Sequence, residues 1–215
     1  MTIFDFTRPD VSDALSAEAN LVYGVGMLAS RAAQVARTLC NHPDGRSEND
    51  AEHSFMLGLV AVPLAERYYP ELDSGLVAKY ALVHDLVESY VGDTPTYDID
   101  EAGLKTKVDM EQAGQQQLKK EYLHLAPSLV ALVEDYEEQA SPEARFVRIL
   151  DKLMPTVVQC ADDYATTRKS FTRETHQAMT QAHIGRFLEE YADQRHILDL
   201  YQELAAFMRD RAWPD

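Results

Sequence analysis

Apolar and polar positions along the chain alternate with helical rather than strand periodicity. Apolar residues at helical spacing run from residue 11 to residue 39, through Leu21, Val25, Leu28, Ala32, Val35 and Leu39. The polar stretch from Cys40 to Ser47 reads as a loop, because Pro43 and Gly45 punctuate it. Asn49, with Glu52 three residues on, has the form of a capping box, so a helix is expected to follow to about residue 69, kinked at Pro63. Asp73 and Ser74 open a third helix that reaches about residue 90. Gly92-Asp93-Thr94-Pro95 then breaks the pattern, and a loop is expected to about residue 99. Further helices are expected over residues 104–123, 127–138, 142–167, 174–191 and 195–211, with Ser141 capping and Pro142 at the first position of the third of these. No window carries the β-branched alternation of a strand. The expected fold is all-α, a single domain over residues 1–215.

Composition narrows the function classes. The chain carries 20 basic and 36 acidic side chains, a net charge of −16, which disfavours an extended nucleic-acid partner. A phosphate can still be bound locally if a metal and a few Arg or Lys residues line one cleft. No apolar run reaches the roughly 18 residues of a membrane span. The first residues, Met1-Thr2-Ile3-Phe4-Asp5-Phe6, lack the basic and apolar regions of a secretory signal. Cys40 and Cys160 are too few for a disulfide framework, so a reducing cytoplasm is expected.

The chemistry concentrates where ionisable side chains interrupt apolar helical runs. His53 opens an apolar helix directly after the capping signal. His84, Asp85 and Glu88 interrupt the run Tyr80-Ala81-Leu82-Val83, and Asp151 interrupts the apolar stripe around Phe146, Ile149 and Leu150. A buried ionisable group is costly unless it is paired or metal-bound. An adjacent His-Asp supplies a neutral nitrogen and a carboxylate oxygen, a donor pair suited to a divalent cation. Each feature alone has an ordinary structural explanation: a lone His53 is a satisfied histidine, and Asp151 pairs with Arg148 or Lys152. The joint pattern is stronger than any member.

The pattern His53, His84-Asp85, Asp151 resembles the HD superfamily of metal-dependent phosphohydrolases. The segments from Arg46 to Ser54, His84 to Glu88 and Gly92 to Thr96, with Asp151-Lys152-Leu153, are similar to its compact branch, which contains bacterial 5'-deoxynucleotidases. The similarity covers roughly residues 29–165, with additional outer helices on either side. The resemblance implies that His53, His84, Asp85 and Asp151 hold one divalent metal ion such as Mn²⁺, Co²⁺ or Mg²⁺. It implies that Glu88 orients or deprotonates the attacking water. It gives Asp93 a role in holding the nucleotide or assisting proton transfer to the leaving oxygen. Arg37 matches the branch's phosphate-binding arginine by position, with Arg31 and Arg46 as nearby alternatives. Lys152 is a phosphate contact or a surface salt bridge. Thr38 stands where the branch commonly carries an aromatic residue, and the loop to His53 is a residue longer, so the substrate is less defined than the chemistry.

The function expected is hydrolysis of deoxynucleoside 5'-monophosphates. The alternatives are a deoxynucleoside triphosphate triphosphohydrolase, a non-catalytic nucleotide-binding helical protein and a helical interaction protein without a site. The partners expected are a nucleotide substrate and a second copy of the chain. The C-terminal apolar residues, Phe187, Ile197, Leu198 and Phe207 among them, serve either that homodimer or the core.

Overall fold

The computed structural model describes residues 13–93 and 101–214. Within them the chain is helical apart from one small hairpin, in agreement with an all-α fold. Helix α1 (Ala17–Ala32) is capped by Ser16 and leads into strands β1 (Ala36–Asn41) and β2 (Ser47–Asn49). Helices α2 (Asp50–Tyr68), α3 (Ser74–Val83) and the short α4 (Glu88–Val91) follow, then α5 (Glu101–Tyr122) and α6 (Pro127–Glu138). The chain continues as α7 (Pro142–Val158), α8 (Ala165–Ser170), α9 (Arg173–Glu190) and α10 (Arg195–Ala212).

Several boundaries follow from the expected signals. Asn49 and Glu52 make both hydrogen bonds of the capping box at the start of α2. Asp73 accepts from the amides of Gly75 and Leu76 to start α3, and Ser141 accepts from Ala144 to start α7. Gln139 ends α6 in a left-handed conformation, φ 52°.

Three boundaries differ from the sequence expectation. The first helix stops at Ala32, and residues 36–49 form an antiparallel hairpin with Ala36 opposite Asn49 and Asn41 opposite Ser47. Its turn is closed by His42 and Arg46, and Gly45 takes a φ of 82° that disfavours a side chain. Val35 and Leu39 continue the helical spacing by coincidence, and pairing with β2 decides the conformation. The third helix ends at Val83 instead of running on to residue 90. His84 to Val87 make tight turns, with Leu86 N–H donating to Val83 and Glu88 N–H to Asp85. The helix expected over 142–167 ends at Val158 and gives way to a 3₁₀ turn, because Asp163 and Tyr164 adopt left-handed φ of 52° and 60°. That reversal buries Tyr164 against Met208 and Ala212 of α10. The loop beyond Asp93, with Tyr97 and Asp98, lies outside the described residues.

The main core is built on α7, whose Phe146, Ile149, Leu150 and Leu153 are fully buried between α2, α3 and α10. Phe187 of α9 and Ile197 and Leu198 of α10 belong to this core, whereas Phe207 is half exposed. A second cluster joins Leu28 of α1, Leu118 and Tyr122 of α5 and Val130 of α6. Among the described residues, no helix is long and apolar enough to cross a membrane.

Candidate metal centre

Three helices meet at the polar heart of the molecule. His53 lies in the first turn of α2, His84 and Asp85 at the end of α3, and Asp151 in the middle of α7. One donor atom from each of the four lies within 4.8 Å of the other three, and all four residues are buried. His53 Nε2 is 2.9 Å from Asp151 Oδ1, and His84 Nε2 is 3.7 Å from the same oxygen. The two imidazole centroids are 5.3 Å apart.

The early stop of α3 sets the orientation of His84. Its Nδ1 lies 3.0 Å from the carbonyl oxygen of Ala81. A carbonyl only accepts, so Nδ1 carries the proton and Nε2 faces the cluster. Nε2 is 2.9 Å from Asp85 Oδ2 but out of hydrogen-bond alignment, and this buried nitrogen has no hydrogen-bond partner. A buried, unpartnered imidazole nitrogen beside two carboxylates fits a divalent cation in both charge and donor type. Burial alone would push the His84 imidazole down, but the charges of Asp85 and Asp151 outweigh it and push it up to about 10. Asp151 is held well below the usual carboxylate range against the cost of burial, chiefly by Lys152 and the two imidazoles.

Arg37 reaches this cluster from β1. Its Nη1 lies 2.5 Å from Asp85 Oδ2 and 3.4 Å from Asp50 Oδ1, and its Nη2 is 3.8 Å from Asp151 Oδ1. The alternatives to Arg37 are engaged elsewhere. Arg46 makes two 2.9 Å bonds to Glu52, and Arg31 faces Glu121 at 3.7 Å with Tyr90 beneath it. Lys152 Nζ donates to Asp151 Oδ2 at 2.6 Å.

Glu88 starts α4 at the edge of the cluster, and its Oε2 has no hydrogen-bond partner. Burial, with Asp85, Asp50 and Asp93 nearby, pushes its carboxyl up to about 9. Asp93 accepts a 2.8 Å hydrogen bond from the Thr38 amide of β1.

Two buried carboxylates have no assigned role in the sequence pattern. Glu48, on the inward face of β2, has both oxygens unbonded, and its Oε1 is 3.6 Å from His53 Nδ1. Asp50, raised to about 7 mainly by burial, groups with Asp85 and Glu88 as a second set of converging acids. Both lie in the segment that carries the capping box, but their burial depends on the hairpin, which the sequence does not announce.

A cavity of about 390 Å³ opens onto His84, Asp85, Glu88 and Asp151, within the usual size of a small-molecule site. Helix α5 lines it with Lys107, Gln112 and Gln115, α6 with Tyr136 and Glu137, α7 with Arg148 and Lys152, and α9 with Arg186. Arg37 is not among its lining residues.

A helical fold in which three helices bring two histidines and two aspartates together beside a polar cavity defines a helical protein with a candidate metal centre. The chain belongs to the HD-domain family, whose model matches residues 30–193. It is 30% identical over 116 residues to the 5'-deoxynucleotidase hdd1 of Schizosaccharomyces pombe, a match covering 52% of this chain and 56% of that protein. It is 32% identical over 113 residues to the human 5'-deoxynucleotidase HDDC2, covering 50% of each. The chain thus spans about half the length of the curated relatives it matches. Its fold resembles a predicted metal-dependent phosphohydrolase from Magnetospirillum magnetotacticum MS-1, with a TM-score of 0.68 at 23% identity over 91% of this chain and 97% of that one. It also resembles a conserved hypothetical protein from Pyrococcus furiosus, with a TM-score of 0.56 at 22% identity over 86% and 98% of the two chains.

Proposed function

We propose that the protein is a metal-dependent phosphohydrolase that cleaves deoxynucleoside 5'-monophosphates to nucleoside and phosphate. The observation that carries this reading is the buried cluster of two imidazoles and two carboxylates, with His84 Nε2 unpartnered, three of whose members, His84, Asp85 and Asp151, line a cavity of about 390 Å³. Membership of the HD-domain family and the names of two relatives, both 5'-deoxynucleotidases, support it.

His53, His84, Asp85 and Asp151 would hold the cation. A divalent cation bound there supplies Lewis acidity toward a phosphoryl oxygen and toward water. The chain's own residues do the rest. Glu88 would exchange a proton with the attacking water: burial and the neighbouring acids raise its carboxyl to about 9, and the charge of a divalent cation held by the cluster would lower it toward neutrality, where it is matched to that task. Asp93, tethered to the Thr38 amide, places a second carboxylate at the end of α4, for the nucleotide or the leaving oxygen. Lys152 holds Asp151 in place and adds positive charge to the cavity wall.

Incubation of the protein with Mn²⁺ or Co²⁺ and a panel of deoxynucleotides, with the phosphorus products resolved, tests the reading. Inorganic phosphate from monophosphates is the expected product. Release of triphosphate from deoxynucleoside triphosphates would install the triphosphohydrolase alternative. No turnover with either metal, in protein shown to bind it, would remove the catalytic reading.

A further inference from the structure

The cavity wall contains a cation that the cluster does not use. Four basic residues line the cavity: Lys107, Arg148, Lys152 and Arg186. Three of them have an acidic partner close by. Lys107 faces Glu111 one turn on at 3.5 Å, Arg186 faces Glu190 one turn on at 3.9 Å, and Lys152 is bonded to Asp151 at 2.6 Å. Among the described residues Arg148 makes neither a hydrogen bond nor an ion pair, although it is half-buried in a lining that contains Glu137 and Asp151.

Its position on α7 gives this meaning. Arg148 lies three residues before Asp151 and four before Lys152, so the three side chains share one face of the helix. All three side chains line the cavity, and Asp151 belongs to the cluster, so this face of α7 joins the cavity wall to the cluster. Arg37, by contrast, is turned onto Asp85 and Asp50 and does not line the cavity. A planar guanidinium with its donors unspent is suited to a phosphate, which it can grip through two parallel hydrogen bonds.

We infer that Arg148, with Lys152 beside it, forms an anion subsite on the α7 wall of the cavity that holds the phosphate of a nucleoside monophosphate. This rests on the phosphohydrolase reading for the identity of the ligand, but the subsite can be measured without turnover.

The experiment is calorimetric titration of inorganic phosphate into the Mn²⁺-loaded protein. The wild type is compared with Arg148→Gln and Arg148→Lys, with bound Mn²⁺ counted by elemental analysis and folding checked by melting temperature. A charge-assisted hydrogen bond is the interaction removed, so Arg148→Gln should bind phosphate about tenfold more weakly or worse. Arg148→Lys should fall between, and the metal content should not change. KM for a deoxynucleoside monophosphate should rise by the same factor with little change in kcat, and affinity for the uncharged deoxynucleoside should stay constant. If Arg148→Gln does not fold, Arg148→Met keeps the apolar stem and serves instead. Phosphate affinity within twofold of wild type in a folded, metal-loaded variant overturns the subsite, as does a wild type that binds no phosphate. Arg148-dependent phosphate binding without hydrolysis keeps the subsite and removes the reaction. Hydrolysis with unchanged phosphate affinity in Arg148→Gln does the reverse.

Discussion

At the scale of single residues, the donor set is held by hydrogen bonds that also satisfy the backbone. The His84 bond to the Ala81 carbonyl closes one open acceptor at the end of α3 and aims Nε2 at Asp85 and Asp151. Asp85→Ala should therefore lose bound metal and activity together, whereas Glu88→Gln should keep the metal and lose turnover by at least a hundredfold. Elemental analysis beside a phosphate-release assay separates the two, and metal loss in Glu88→Gln would make Glu88 a ligand. A second residue-scale expectation concerns His183 of α9. Burial, then Arg186 and Lys152, push its imidazole down to about 4. The unfolded chain takes up that proton first on acidification, so the stabilisation is present above about pH 6.5 and is lost as pH falls toward 4. Between those limits the wild type should lose about 2 kcal/mol more than His183→Gln, by urea denaturation at a series of pH values. His53, His84, Asp85 and Asp151 were legible in the sequence because each interrupts an apolar run. Glu48 and Asp50 were not, since a charged residue beside polar neighbours gives no sign of which face the tertiary fold will bury, and Arg148, which interrupts the same apolar run as Asp151, read only as a salt-bridge partner for it.

At the scale of elements, the caps at Asn49, Asp73 and Ser141 were readable because each depends on a side chain bonding to an amide within three residues. The hairpin was not, because strands of six and three residues are stabilised by pairing with each other and not by their own periodicity. The short α4 also depends on a neighbour. A methyl group on Gly114 of α5 would come within 3.0 Å of the Cγ1 atoms of Val87 and Val91. Both are β-branched and cannot swing aside cheaply. Gly114→Ala gains about 1 kcal/mol of helix propensity but must separate α5 from α4, and we expect a net loss of about 1 kcal/mol. Because α4 carries Glu88 and α5 lines the cavity, turnover should fall more than stability does. Thermal denaturation and kinetics on one preparation check this, and a stabilised, fully active variant would show that the valines yield.

At the scale of the whole molecule, the charge of −16 and the converging acids oppose the folded state until they are compensated. A cation that binds only the native cluster adds stability by mass action, about 2.7 kcal/mol at a hundredfold excess over Kd. For a chain of this size, EDTA should then lower the melting temperature of the Mn²⁺-loaded protein by roughly 5–10 °C. Asp85→Ala should melt at the same temperature with or without the chelator. The outer helices had no motif in the sequence, yet α9 contributes Arg186 to the cavity and Phe187 to the core. The part of α9 in the site follows from its packing against α10, which in turn packs on α7, and no local pattern in α9 reveals it.

One long-range contact gives the molecule a built-in clock. The exposed residue Thr38 on β1 donates its amide to the Asp93 carboxylate, 55 residues away and just beyond the end of α4. A strand amide open to solvent trades its hydrogen for deuterium quickly, but a tethered one must wait for the tether to open. Deuterium uptake at Thr38 therefore times how long the Asp93 carboxylate stays in place, with neither substrate nor cation required. In Asp93→Ala that uptake should quicken at least tenfold while amides in the middle of α7 keep their pace. Unchanged uptake would show that something else shields Thr38.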